Sequence, residues 1–155
     1  MPVVDTGFYG QDGLPEKALL LQYGPTLAVT VSHYRSDAGP IAPLAQMDPV
    51  GTHALVDTGA TESCIDIGLA QELELPVIDT VEISGSDGTR THPVHLAAVD
   101  IPSLEFYQYG RFAGVALSDG GQQHRALLGR TFLQSVIMIY DGLRGQVTLA
   151  SMRMG

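Results

Sequence analysis

Ala54-Leu55-Val56-Asp57-Thr58-Gly59-Ala60-Thr61-Glu62-Ser63 decides how this 155-residue chain is read, because an apolar run stops there at an acid, a hydroxyl and a glycine. Residues 54–56 have the short, apolar, partly β-branched composition of a buried strand, and residues 57–59 break it where the chain would leave the core. A carboxylate therefore stands at the end of a buried strand. Burying an ion is costly, so Asp57 calls for hydrogen-bond donors or for a second group sharing a proton. Thr58 offers a hydroxyl, and Gly59 permits a close backbone approach that a Cβ would block. Two readings fit this stretch taken alone: a polar turn, since Asp, Thr and Gly are all common in turns, or a catalytic loop.

On the N-terminal side, residues 25–31 alternate and are rich in β-branched side chains, the pattern of a first core strand, and residues 52–56 return as the strand feeding Asp57. Pro40, Pro43 and Pro49 mark residues 36–49 as a loop. On the C-terminal side, Ile67, Leu69, Ala70 and Leu73 recur at helical spacing, with Asp66 as N-cap and Pro76 just past the end, which predicts a short helix over 66–75. Residues 80–83 and 89–99 read as two strands joined by the glycine-bearing turn Ser84-Gly85-Ser86-Asp87-Gly88. A further strand is predicted over 109–117, then a loop over 118–123, one helical turn over 130–134, and a terminal hairpin over 136–150. Residues 1–24 are mixed in character around the apolar 18–21 and read as an N-terminal arm. Residues 25–155 read as one domain, without internal repeat, low-complexity tract or linker.

Asp57-Thr58-Gly59-Ala60 after apolar residues resembles the active-site loop of aspartic proteases, and Ala126-Leu127-Leu128-Gly129-Arg130 resembles that family's second signature, two apolar residues and a glycine, often followed by arginine. Gly129 follows Asp57 by 72 residues (129 − 57), in the expected order. Residues 65–76 resemble the short helix and Leu-Pro exit that follow the loop in cellular retropepsin-like proteins. Over residues 25–150 the chain is thus similar to the retropepsin-like, single-lobe aspartic proteases of cellular or bacterial type. The resemblance implies an all-β, closed-barrel acid protease fold, a single lobe with one short helix, acting as a homodimer on a peptide or protein substrate.

The chemistry so implied is aspartic endopeptidase hydrolysis by two carboxylates sharing one proton, because like charges about 3 Å apart do not both ionise; aspartic proteases as a class are the standard example. One carboxylate takes a proton from a water while the other, protonated, polarises the scissile carbonyl. With one such loop per chain, the second Asp57 comes from another copy through a two-fold axis. Asp57, Thr58 and Gly59 would be the catalytic residues, with Thr58 bonding across the axis and Leu127, Leu128 and Gly129 packed beneath the loop. Arg130 is similar to an arginine that in retroviral relatives pairs with an acid four residues after the catalytic one. Thr61 stands there in this chain, which leaves Glu62 or another group as the partner of Arg130. The turn of Ile83, Ser84, Gly85, Ser86, Asp87 and Gly88 takes the place of the substrate-covering flap, but it is short and polar, so substrate preference does not carry over. No cofactor or metal is implied. The alternative is a non-catalytic retropepsin-fold dimer that binds a peptide or dimerises a partner, since fold does not fix function.

Composition narrows the remaining classes. Hydrophobic residues make up 45% and charged residues 16%, and 18 glycines with 9 prolines indicate many turns and short strands, hence all-β. One domain with an ordinary core fits this length, and a second catalytic lobe does not. A net charge of −9 without any Lys/Arg cluster argues against nucleic acid as a partner. No stretch approaches the ~18 apolar residues of a membrane span, and no charged segment precedes an apolar one at the N-terminus, so a soluble, cytoplasmic protein without a membrane partner is expected. Cys64 is the sole cysteine and reads as a small buried apolar residue rather than a nucleophile. His92 and His95 point to opposite faces of a strand, which disfavours joint metal ligation, and His33, His53 and His124 lack ligand spacing. Val3-Val4-Asp5-Thr6-Gly7 repeats the motif in outline, but Phe8 replaces the small residue and no helix follows, so Asp5 reads as a decoy.

Overall fold

In the computed structural model, which describes residues 1–36, 39–40, 48–121 and 123–152, the chain is mostly β. Its elements in order are β1 (Val3–Asp5), α1 (Lys17–Tyr23), β2 (Thr26–Ser32), β3 (Arg35–Ser36), β4 (Gly39–Pro40), β5 (Val50–Val56), β6 (Cys64–Asp66), α2 (Ile67–Glu72), β7 (Val77–Gly85), β8 (Gly88–Ile101), β9 (Phe106–Val115), β10 (Ala126–Leu128), α3 (Arg130–Leu133), β11 (Val136–Asp141) and β12 (Gln146–Ser151). Much of the loop expected over 36–49, and residue 122 of the loop expected over 118–123, lie outside the described residues.

Alternation in the sequence becomes alternation in space. Leu27, Val29 and Val31 of β2 turn inward while Ala28 faces out, and β5 buries Ala54 and Val56. Among the described residues, seven strands share one sheet in the order β2-β5-β10-β6-β9-β8-β7. Residues 30–32 of β2 also pair with 98–100 of β8, so the hydrogen bonding returns to the strand where it began. The strand β10 lies between β5 and β6, parallel to the first and antiparallel to the second. That single insertion sets Leu128 beside Val56, the last residue before Asp57.

Inside the sheet, Ile65, Leu69, Val99, Phe112, Leu128 and Phe132 are fully buried, and Phe106 meets Phe132 edge-on at 5.3 Å between centroids. Burying side chains of this size stabilises by about 1.5–3 kcal/mol each, and the strands that carry the loop are rooted among them. The helix expected after the loop is α2, shorter than the periodicity predicted: Glu74 adopts a left-handed φ of 51° and ends it. α3 occupies the turn expected at 130–134, and α1 folds the apolar part of the arm, with Leu20 buried. The arm also contributes a strand that local sequence does not announce, for β1 pairs with β12 in a second sheet of order β1-β12-β11.

Candidate active site

Where β5 ends, the ladder with β10 runs one residue further, as the Asp57 amide donates to Leu128 O at 2.9 Å. The chain then turns. Gly59 N donates to Asp57 Oδ1 at 2.9 Å and Ala60 N to Asp57 O at 3.3 Å, so the carboxylate is anchored by its own loop while remaining only half-buried. A Cβ on Gly59 would stand 3.2 Å from Oδ1, closer than ordinary packing tolerates. Thr58 is exposed, and among the described residues its hydroxyl makes no hydrogen bond.

The second motif clamps the loop from behind. Arg130 N donates to Ala60 O at 2.9 Å and Thr131 N to Thr61 O at 3.1 Å, so the first amides of α3 satisfy loop carbonyls. Gly129 fits between: a Cβ there would lie 2.7 Å from Glu62 O and 2.9 Å from Ala60 O, both immovable backbone. The Arg130 guanidinium does not reach Glu62. It donates to Thr58 O at 2.8 Å and to Thr61 Oγ1 at 2.9 Å, so a hydroxyl occupies the place where retroviral relatives keep an acid. Two further members, Ser63 and Thr131, escaped the sequence reading. Ser63 Oγ accepts from Gly129 N at 3.1 Å, and Thr131 Oγ1 accepts from Ser63 N at 3.3 Å. Hydroxyls so common in loops carry no distinguishing signal until their partners are known.

The hairpin β7–β8 reaches over this loop. A cleft of about 470 Å³ lies between residues 59–62 and residues 81–84, with Cys64 and Ala113 at its base. Ile83 and Ser84 of the expected flap therefore line the same cleft as the loop. Gly85, Ser86, Asp87 and Gly88 do not; with Arg90 and His92 they border a separate recess of about 230 Å³ at the hairpin tip. A depression of about 520 Å³ beside Glu105, Val136 and Met152 has no loop residue in its wall.

The other singled-out residues serve the fold. Cys64 is buried, and its thiol is pushed up to about 11 by burial first and then by the charges of Glu62 and Asp57, so it stays protonated. His92 Nδ1 donates to Gly114 O, His95 Nδ1 to Leu75 O and His33 Nε2 to Leu73 O, while His124 Nε2 lies 2.7 Å from Thr26 Oγ1. Burial, then the neighbouring His53, lowers the His124 pKa. Among the described residues no group of three or more His, Cys, Asp or Glu is placed to hold a metal, and no helix is long and apolar enough to cross a membrane. Asp5 reproduces the Asp57 turn, with Gly7 N on Oδ1 at 2.8 Å, but its other oxygen accepts from Tyr9 OH. Thr6 is buried and turned inward onto Val147 O, where Thr58 faces outward.

Residues 45–135, more than half of the chain, match the model of a family described as gag-polyprotein putative aspartyl protease. Comparisons with curated proteins and with solved structures found no match.

Proposed function

The chain belongs to the gag-polyprotein putative aspartyl protease family, and from that premise we propose that it is an aspartic endopeptidase whose water is activated between two Asp57 carboxylates, one from each protomer of a homodimer. The observation that carries the reading is the pairing of a half-buried, loop-anchored Asp57 with an outward Thr58 hydroxyl that has no partner among the described residues. A hydroxyl so presented suits a bond to the same loop of a second copy, which would bring the two carboxylates within range to share a proton. The edge strand β11 supports the same reading. Among the described residues it pairs with β12 alone, and its Ile137 and Ile139 are 51% and 62% exposed. An unpaired apolar edge is a surface that a symmetric partner would cover.

Asp57, Thr58 and Gly59 take the catalytic roles in this proposal, Leu127, Leu128, Gly129 and Arg130 hold the loop, and the hairpin residues 83–88 cover the substrate. The pairing of β2 with β8 supports a closed barrel, and residues 1–24 serve as an arm laid on the domain of 25–155. One chain supplies half a site, so a peptide enters only where two copies meet.

The test is hydrolysis of denatured casein between about pH 3 and pH 7, with Asp57→Asn and Asp5→Asn as variants. Asn matches the carboxylate in shape but does not take up the proton, so Asp57→Asn is expected to abolish cleavage while leaving the fold intact, and Asp5→Asn to leave it unchanged. Equal loss in both variants would reassign the decoy. Absence of cleavage by the parent protein at every pH would favour a peptide-binding or dimerisation module.

A further inference from the structure

The root of β10, the strand that leads into the clamp on the Asp57 loop, is a buried imidazole. His124 stands one residue before the ladders begin. The Arg125 amide donates to His53 O at 3.0 Å, and Arg125 O accepts from Asp66 N at 2.9 Å, which ties the strand to β5 on one side and to β6 on the other. The His124 side chain, 1% exposed, crosses to the first residue of β2, with Nε2 2.7 Å from Thr26 Oγ1. That hydroxyl donates its one proton to Gly24 O at 3.0 Å, so it accepts from His124, and the neutral ring carries its proton on Nε2. Gly24 is in turn the C-cap of α1. One side chain thus fastens the strand of the second motif to the first core strand and to the end of the arm.

Acid would add a proton at Nδ1 and place a full charge in this closed site. Burial opposes that first and the neighbouring His53 second, so the ring is held below its usual 6.5. The titratable groups on the surrounding elements are few. β2 and β10 carry none, and β5 carries His53 alone. β6 carries Cys64, which stays protonated, and Asp66, whose carboxylate accepts from three amides and lies 3.6 Å from Arg125. Arg125 is turned to Glu72 at 2.9 Å. On α1, Lys17 lies against Gly145, and Tyr23 meets the Phe8 ring at 5.9 Å. A ring that folds in its neutral form stabilises the structure fully above about pH 6.5, and that contribution falls away as the pH drops below it.

We infer that His124 is an acid-sensitive latch on the clamp. Neutral, it fixes the root of β10 against β2. Protonated, it turns out to water, and the strand loosens together with the amides of residues 130 and 131 that hold the loop. The latch acts on the geometry of the loop and operates whether the cleft cuts a peptide or only binds one.

The test is amide hydrogen exchange followed by NMR between about pH 7.5 and pH 5, corrected for the intrinsic pH dependence of exchange, with the five histidine rings titrated in the same samples. Asp66 keeps its charge across that window, because its carboxyl is held below 3.8, so the window isolates the imidazoles. Opening at the amides of Asp57, Arg125, Arg130 and Thr131 should rise several-fold as the pH falls, along the titration curve of the His124 ring. In His124→Gln, which keeps an N–H for Thr26 and does not titrate, the same opening should stay flat. Should that variant not fold, the parent protein alone decides, since its opening must follow the His124 curve and not that of another histidine. Opening that stays flat while His124 titrates, an equal acid rise in His124→Gln, or a His124 ring that titrates at or above 6.5 overturns the inference. None of these readings requires turnover, so the latch and the peptidase reading stand or fall separately.

Discussion

Gly129 is the position at which a single methyl group is expected to do most harm to the site. The atoms it would strike belong to the backbone of residues 60 and 62, so relief requires the loop itself to move. Gly129→Ala should destabilise by about 1–3 kcal/mol, the usual cost of forced overpacking, and should depress peptide hydrolysis further than the stability loss alone accounts for. Urea denaturation and casein cleavage on the same preparation measure the two effects. At this scale the sequence was partly legible. Asp57 and Gly59 stood out as an acid and a glycine closing an apolar run, and Gly129 only through the resemblance of its Leu-Leu-Gly motif. Arg130 was legible as a loop-holding cation but not in its partner, because a guanidinium satisfies itself equally with a carboxylate, a hydroxyl or a carbonyl, and only the folded loop shows which is near.

The helix after the loop shows how local signals and tertiary contacts divide the work. Asp66 as its N-cap was legible, and Asp66 Oδ2 does accept from Leu69 N at 3.3 Å. Its other oxygen, however, receives Leu117 N at 3.0 Å and Ser118 N at 3.1 Å from a segment some fifty residues on, which local sequence does not foretell. Burial by itself would raise the Asp66 pKa, but the amides of Ser118, Leu69 and Leu117 outweigh it and hold the carboxyl below its usual 3.8. A depressed carboxyl stabilises the fold above its unfolded value and loses that contribution as pH falls through the folded one. Asp66 should therefore support stability above about pH 4 and release it at lower pH, and Asp66→Asn should flatten the acid limb of a plot of urea midpoint against pH. At the other end of the helix, Leu75 N returns to Ala70 O at 3.0 Å and Glu74 N to Gln71 O at 3.1 Å, a Schellman closure with glutamate where glycine is usual. Glu74→Gly should raise stability by about 0.5–1 kcal/mol, read as a higher urea midpoint, since it relieves the left-handed φ at some cost in unfolded-chain entropy.

For the whole molecule, the decisive quantity is how many chains make one site. If each site draws Asp57 from two copies, mixing parent protein with an equal amount of Asp57→Asn and letting the subunits exchange should leave about half the original activity, because only one dimer in four keeps both carboxylates. Undiminished activity after exchange would show that one chain suffices. The strands with strong alternation, β2 and the terminal pair β11 and β12, were legible from their own residues. The strand β1 was not, because Val3-Val4-Asp5 becomes a strand only through residues 148–150, at the far end of the chain. The same dependence on distant partners governs β5 and β10, and it has a consequence in time. During synthesis, residues 54–60 leave the ribosome some seventy residues ahead of 126–131, which at ~5–20 residues per second is a wait of roughly 4–14 s. Throughout that interval the carbonyls of residues 60 and 61 lack the amides of residues 130 and 131, and Asp57 lacks its tie to Leu128. A nascent chain therefore carries the acid long before it carries the clamp, and the loop takes its working shape only after nearly all of the strands have been made.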